Sequence, residues 1–221
     1  MRIIKLDEQT KIDIQSNLLK RSPNQYEKYS DKVNQILEDV KTRGDIAVFD
    51  YTKSFDKADL NPVNIKVTEE EIKEAYTKVD NDLVTIIKKA ILNIREFHER
   101  QIEQSWFDTK ANGILLGQKV TAIQNVGVYV PGGTAAYPSS VLMNVVPAKV
   151  AGVSRIVMVT PPGEDGKVYE GTLVAAKEAG VDEIYKVGGA QAIGALAYGT
   201  ESISKVDKIV GPGNIYVALA K

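Results

Sequence analysis

The sequence predicts an α/β fold, in which a Rossmann-like parallel sheet follows a mostly helical, incomplete first domain that ends in a β-hairpin. Up to about Gln104, apolar residues recur at three- and four-residue spacing, which is the period of an α-helix. Trp106 and Phe107 precede Asn112-Gly113, a dipeptide typical of a tight hairpin turn. From about Asn125 onward, short strands rich in Val and Ile alternate four times with Gly/Pro loops and helices.

Local signals predict four helices in the first region. Ser22-Pro23 offers an N-cap followed by proline at the first helical position, and Gly44 is the expected stop of that helix. Asp45 is predicted to cap a further short helix. Thr68-Glu-Glu-Glu71 has the spacing of a capping box. Asp80–Gln104 shows the strongest amphipathic pattern, with an apolar stripe that needs a packing partner.

The second region predicts a parallel sheet with helices on both of its faces. The helices are expected to start near Ser139, Glu170 and Gln191, with Gly180 ending the second. The predicted strands are Val126–Val130, Arg155–Thr160, Glu183–Val187 and Lys208–Val210. The change of period divides the chain into residues 1–124, part of a discontinuous domain, and residues 125–221, a Rossmann-like domain truncated at its C-terminal end.

The amino-acid composition argues against several classes of partner and of catalytic site. Lys and Arg total 28 against 29 Asp and Glu without a basic block, so no nucleic-acid partner is expected. No segment has the length and apolarity of a membrane span, and the start lacks a secretory signal, so a soluble, cytoplasmic protein without a membrane partner is expected. The absence of Cys excludes disulfides and thiolate nucleophiles. His98, the single histidine, lies in a charged helical context, which favours a structural or solvated role over a zinc site.

The Gly/Pro loops predict a ligand site. In an open parallel sheet the ligand crevice lies beyond the carboxyl ends of the strands, where all four loops fall. Gly-x-Gly-x-x-Gly and Walker-type phosphate-loop spacings are both absent. The pattern therefore indicates a nucleotide or small-molecule site without a recognisable dinucleotide fingerprint.

Four longer segments carry a family resemblance. Together, and in this order, they resemble the histidinol dehydrogenase family: Gly127–Gly133, Ser140–Gly152, Val187–Gly199 and Val210–Val217. The resemblance implies an NAD-dependent, zinc-requiring homodimer that oxidises L-histidinol through an aldehyde to L-histidine, in the closing steps of histidine biosynthesis.

The same resemblance implies three cofactor contacts, namely Tyr129, Gln191 and Asn214. Their chemistry suits the role, because an amide both donates and accepts hydrogen bonds and a tyrosine offers a flat face with a hydroxyl. Each also has a structural alternative: strand-end packing for Tyr129, a polar helix start for Gln191 and a loop cap for Asn214.

No catalytic or metal-binding residue is expected in this chain. In the family, the zinc ligands, a Glu-His acid/base pair and the substrate contacts come from later sequence, including a tail donated by the dimer partner. Asn214–Lys221 begins a helix without a stop signal, so we expect a fragment of a longer enzyme, inactive by itself. Two alternatives stay open. One is a stand-alone nucleotide-binding module without catalysis. The other is an aldehyde-dehydrogenase relative, whose cofactor domain has a similar plan; the catalytic Cys expected of such an enzyme is absent from these 221 residues but could lie in later sequence.

Overall fold

The computed structural model describes residues 5–19, 27–132 and 137–221, and it confirms the predicted α/β class. The described part of the first region contains five helices and a hairpin: α1 (Glu8–Leu19), α2 (Glu27–Arg43), α3 (Asp45–Asp56), α4 (Glu69–Lys78), α5 (Asn81–Glu99), β1 (Trp106–Thr109) and β2 (Leu115–Gln118). The second alternates strands with helices: β3 (Asn125–Tyr129), α6 (Pro138–Val150), β4 (Arg155–Val159), α7 (Glu170–Ala179), β5 (Glu183–Tyr185), α8 (Gly189–Tyr198), β6 (Lys208–Val210) and α9 (Ile215–Ala220).

Most of the predicted helix boundaries are confirmed. Gly44 follows α2 with a φ of 54°, and Gly180 ends α7 in the left-handed conformation. Thr68 and Glu71 form the predicted capping box at the start of α4. Asp80 caps α5, although that helix ends at Glu99 and not at Gln104. The predicted Ser22-Pro23 cap lies outside the described residues.

The predicted capping role of Asp45 is wrong. The N-cap position of α3 is Gly44, and the Asp45 amide instead donates to the Glu201 carboxylate at 2.9 Å. The buried Asp45 carboxylate accepts hydrogen bonds from the amide and hydroxyl of Ser202. This helix start is therefore capped by a loop distant in sequence, through a charge-assisted hydrogen bond.

The parallel sheet has the strand order β5-β4-β3-β6. Val126, Val128 and Val130 of the central strand contribute to a core with α4, α5, α6 and α7. Tyr129 contributes to a second core with α2, α3, α8 and α9. Helices therefore cover both faces of the sheet, as the alternating pattern predicts. The division of the chain near residue 124 remains a proposal.

The predicted hairpin forms around Asn112-Gly113, and its side chains are exposed. β1 and β2 pair antiparallel, with Trp106 opposite Gln118. All eight strand residues are exposed, and they include Trp106, Phe107, Leu115 and Leu116. Within the described ranges, every helix is too short or too polar to cross a lipid bilayer.

Candidate functional site

A cavity of about 560 Å³ lies beyond the carboxyl ends of the strands, where the loop pattern predicts a ligand. The loops after β3 and β4 contribute Pro131 and Pro161, and the loop after β6 contributes Asn214. The first turn of α8 supplies Gly189 and Gln191. The opposite wall comes from the helical first region and includes residues of α2 and α3.

Tyr129 is the last residue of β3, and the residue is 4% exposed. Its hydroxyl oxygen accepts a hydrogen bond from the Gly189 amide at 3.2 Å. Burial raises the pKa of the phenol, the Gly189 hydrogen bond lowers it, and the charge of Asp56 raises it further. Because its oxygen already accepts this bond, the hydroxyl can donate its proton to a group in the cavity.

Gln191, in the first turn of α8, is completely buried, yet its amide lacks a partner. Neither Oε1 nor Nε2 makes a hydrogen bond among the described residues. Leaving a buried polar group unpaired costs about 1–3 kcal/mol. An unmet donor and an unmet acceptor thus lie side by side on the wall of the cavity, which fits a ligand that can satisfy both.

Asn214 is the N-cap of α9. Its Oδ1 accepts hydrogen bonds from the amides of Tyr216 and Val217, at 3.0 and 3.2 Å. The loop-cap alternative is therefore present in the structure. The side-chain oxygen is used by the cap, and the Nδ2 amide group is the donor that Asn214 can offer to a ligand.

The cavity also contains two charged side chains that sequence reasoning missed. Asp56 is the last residue of α3, and its Oδ2 is buried without a hydrogen-bond partner among the described residues. Burial raises the pKa of this carboxyl to about 6. Lys32 of α2 lies over the rings of Phe55 and Tyr216, with Nζ 5.5 and 6.0 Å from the ring centres. Both residues precede β3 by more than one helix, and no local sequence pattern connects them to the strand ends.

The loop after β6 approaches the central strand so closely that its first residue must be glycine. Gly211 has a φ of 110°, and a Cβ atom placed there would lie 2.1 Å from the Tyr129 carbonyl oxygen. An L-residue is disfavoured both by this φ angle and by the contact. Gly211 therefore holds the Asn214 loop against the end of β3, beside Tyr129.

The described residues fit a dinucleotide better than a zinc ion. Gln191 offers orphaned polar atoms, and the first turn of α8 presents amides that lack intrahelical partners. By contrast, no group of three or more His, Cys, Asp or Glu side chains in the described ranges could hold a metal ion. His98 hydrogen-bonds to Gln101 and lines a separate groove near the hairpin. Within the described ranges, the side chains therefore do not form a zinc site.

Comparison with known proteins gives consistent matches. A family model described as histidinol dehydrogenase matches residues 19–221. The histidinol dehydrogenase of Bacillus subtilis is 64% identical over 189 residues, which are 86% of this chain and 44% of that protein. The histidinol dehydrogenase of Caldanaerobacter subterraneus is 55% identical over 210 residues, covering 95% of this chain and 48% of that protein.

A solved structure matches as well. The crystal structure of histidinol dehydrogenase from Elizabethkingia anophelis aligns over 100% of this chain and 46% of its own, with a TM-score of 0.81 and 38% sequence identity. The chain thus spans about half the length of the relatives it matches.

Proposed function

The chain belongs to the histidinol dehydrogenase family, and we propose that it supplies the NAD-binding part of an enzyme that oxidises L-histidinol, through L-histidinal, to L-histidine. Because the chain belongs to this family, we do not propose that it is an aldehyde dehydrogenase. The observation that carries the proposal is the buried, unpaired amide of Gln191 on a cavity at the strand ends. A ligand rich in hydroxyl, carboxamide and phosphate groups, such as NAD, can satisfy that amide.

We assign the proposed contacts by their chemistry. The Gln191 amide donates to and accepts from the ligand, Tyr129 donates its hydroxyl proton, and Asn214 donates through Nδ2. The amides in the first turn of α8 and the Lys32 ammonium favour the negatively charged pyrophosphate. When bound, NAD supplies the hydride acceptor for the oxidation of an alcohol.

We further propose that these 221 residues bind NAD without turning over histidinol. Oxidation of an alcohol at zinc requires metal ligands and a base near the reacting carbon. The chain has one His and no Cys, and its described residues contain no metal-binding cluster. L-histidinol, zinc and a homodimer partner therefore belong to the proposed whole enzyme.

The NAD site can be tested with a near-isosteric variant. Gln191→Met removes both unpaired polar atoms but keeps most of the buried volume. We expect the affinity for NAD to fall about tenfold, because hydrogen bonds to the ligand are lost. We expect the free energy of unfolding without ligand to stay constant or rise, because a buried unsatisfied amide disappears. Calorimetric titration and urea denaturation measure the two quantities.

Gln118→Met is the matched control, because Gln118 is exposed on the hairpin. It should leave the affinity for NAD unchanged. Failure of the unmodified chain to bind NAD would overturn the proposed function, and equal affinities for the unmodified chain and Gln191→Met would overturn the role of Gln191. Asn214→Ser provides a further check, because serine preserves the cap of α9 while removing the amide donor.

A turnover assay tests the second part of the proposal. The 221-residue chain, mixed with L-histidinol, NAD and zinc, is expected to form no NADH, whereas full-length histidinol dehydrogenase from Bacillus subtilis serves as the positive control. Absorbance of NADH is the readout. Sustained formation of NADH by the chain would show that it contains catalytic groups that we have not assigned.

A further inference from the structure

We propose that Asp56 determines cofactor specificity, by accepting hydrogen bonds from a ribose diol and excluding a phosphate ester at the same position. The site would then bind NAD and reject NADP. This inference rests on the proposed NAD-binding function and deepens it. It assigns a role to Asp56, the one carboxylate that the described residues place on the cavity wall. Asp56 belongs to the helical first region and not to a strand end of the sheet.

The position of Asp56 is unusual for a structural carboxylate. Its Oδ2 is inaccessible to solvent and has no hydrogen-bond partner among the described residues. The two lysines beside it in sequence are engaged elsewhere, because Lys53 pairs with Asp59 at 2.9 Å and Lys57 donates to the Ser54 carbonyl. Lys32, in the same cavity, lies over the rings of Phe55 and Tyr216. Asp56 as a whole is half-buried, and a buried carboxylate oxygen without a partner destabilises the free protein. Such groups are concentrated at functional sites.

The Asp56 carboxylate itself favours neutral donors over a second anion. An ionised carboxylate only accepts hydrogen bonds, and the two hydroxyls of a ribose diol are donors that match it. Asp56 is also the last residue of α3, where the free carbonyl groups add negative partial charge. A phosphate ester in the same place would bring nearly two negative charges close to the Asp56 carboxylate and to the carbonyl groups at the end of α3.

Rossmann domains achieve the same discrimination with an acidic residue that binds the ribose hydroxyl, about 20 residues after the glycine loop. Here the acidic residue lies on the opposite wall of the cavity, at the end of α3. The glycine-rich fingerprint is absent from the sheet, so this wall is where the structure offers the equivalent acceptor.

The protonation of Asp56 gives an independent readout. Burial raises the pKa of its carboxyl to about 6, so the acceptor form dominates at pH 7 to 8 and is lost as the pH falls through about 6. The other ionisable side chains that line the cavity are Lys32 of α2, Tyr129 of β3 and Tyr216 of α9. A loss of NAD affinity centred near pH 6 is therefore expected from Asp56.

The test compares the affinities for NAD and NADP in the unmodified chain and in Asp56→Asn, by calorimetry between pH 5 and pH 8. Asp56→Asn is expected to weaken NAD binding about tenfold at pH 8 and to reduce the preference for NAD over NADP by a similar factor, because charge-assisted hydrogen bonds are lost. The loss of NAD affinity near pH 6 should disappear. Asp50→Asn is the matched control, since Asp50 is exposed on the same helix and pairs with Arg43.

The possible outcomes separate the two proposals. If the unmodified chain binds neither dinucleotide, the proposed function is wrong, and this inference with it. If NAD binds but Asp56→Asn leaves the affinity, the preference and the pH dependence unchanged, the inference about Asp56 is wrong while the proposed function stands. A loss of preference in Asp56→Asn but not in Asp50→Asn supports both.

Discussion

Replacement of Gly211 by alanine is expected to lower the free energy of unfolding by about 3 kcal/mol and to abolish measurable NAD binding. The new Cβ would meet three backbone atoms of Tyr129, including the carbonyl oxygen at 2.1 Å. Backbone atoms cannot rotate away as the end of a side chain can, so β6 must move from β3 or the loop must change its conformation. Either change displaces Asn214 from the cavity wall.

Gly166→Ala is the matched control for this prediction. Gly166 also has a positive φ, 73°, but a Cβ atom there would have no neighbour within 4 Å. Gly166→Ala should therefore lower the free energy of unfolding by only the conformational penalty, about 1 kcal/mol. Urea denaturation of both variants gives the comparison. Equal, small losses of stability would contradict the close approach of the Gly211 loop to Tyr129.

The second large effect is expected at Glu71, which stabilises two parts of the fold at once. Its Oε2 accepts a hydrogen bond from the Thr68 amide at 2.9 Å in the capping box, and its Oε1 accepts one from Lys186. Lys186 is 5% exposed and follows β5. Glu71→Ala is expected to lower the free energy of unfolding by about 3 kcal/mol, because it leaves the Lys186 charge buried and unpaired and opens the cap of α4.

A set of related variants separates the two contributions. Glu71→Gln keeps an acceptor for the Thr68 amide, so its loss of stability should come mainly from the charge of Lys186. Combining Glu71→Gln with Lys186→Met should recover most of that loss, because replacing both members of a buried pair is often neutral. Glu69→Ala is the control, since the Glu69 pair with Lys177 is exposed and should contribute less than about 0.5 kcal/mol. Equal effects of Glu71→Ala and Glu69→Ala, measured by urea denaturation, would contradict the special role of Glu71.

The features that the sequence predicted correctly are those determined by neighbouring residues. The capping box of Thr68 and Glu71 needs only the three-residue spacing between them, and Gly44 and Gly180 stop helices through their own φ angles. The prediction for Asp45 failed because the group that caps α3 belongs to Glu201, which is distant in sequence. Local propensity cannot identify a partner supplied by tertiary packing.

In the candidate site, too, some features follow from local sequence and others depend on tertiary packing. Tyr129, Gln191 and Asn214 all line the cavity at the strand ends, where parallel topology places the loops. Their roles as cofactor contacts stay a prediction. The residue type of Asn214 is enough to suggest that it caps a loop. The unpaired amide of Gln191 could not be predicted in the same way, because it depends on how α8 packs. Asp56 and Lys32 come from helices that reach the cavity only through tertiary packing, so no sequence pattern signals them.

The position of β6 determines the order in which the cavity can be built. This strand is the last of the sheet in the chain but lies against β3, the first, and Asn125 and Asp207 are hydrogen-bonded across 82 residues. Pairing between such distant segments is slow, because a long loop must close before any contact stabilises it. During synthesis on the ribosome, the wall that carries Asn214 is therefore the last to join the others. A cofactor that contacts both Tyr129 and Asn214 would bridge this junction and, by mass action, favour the closed arrangement of the two strands.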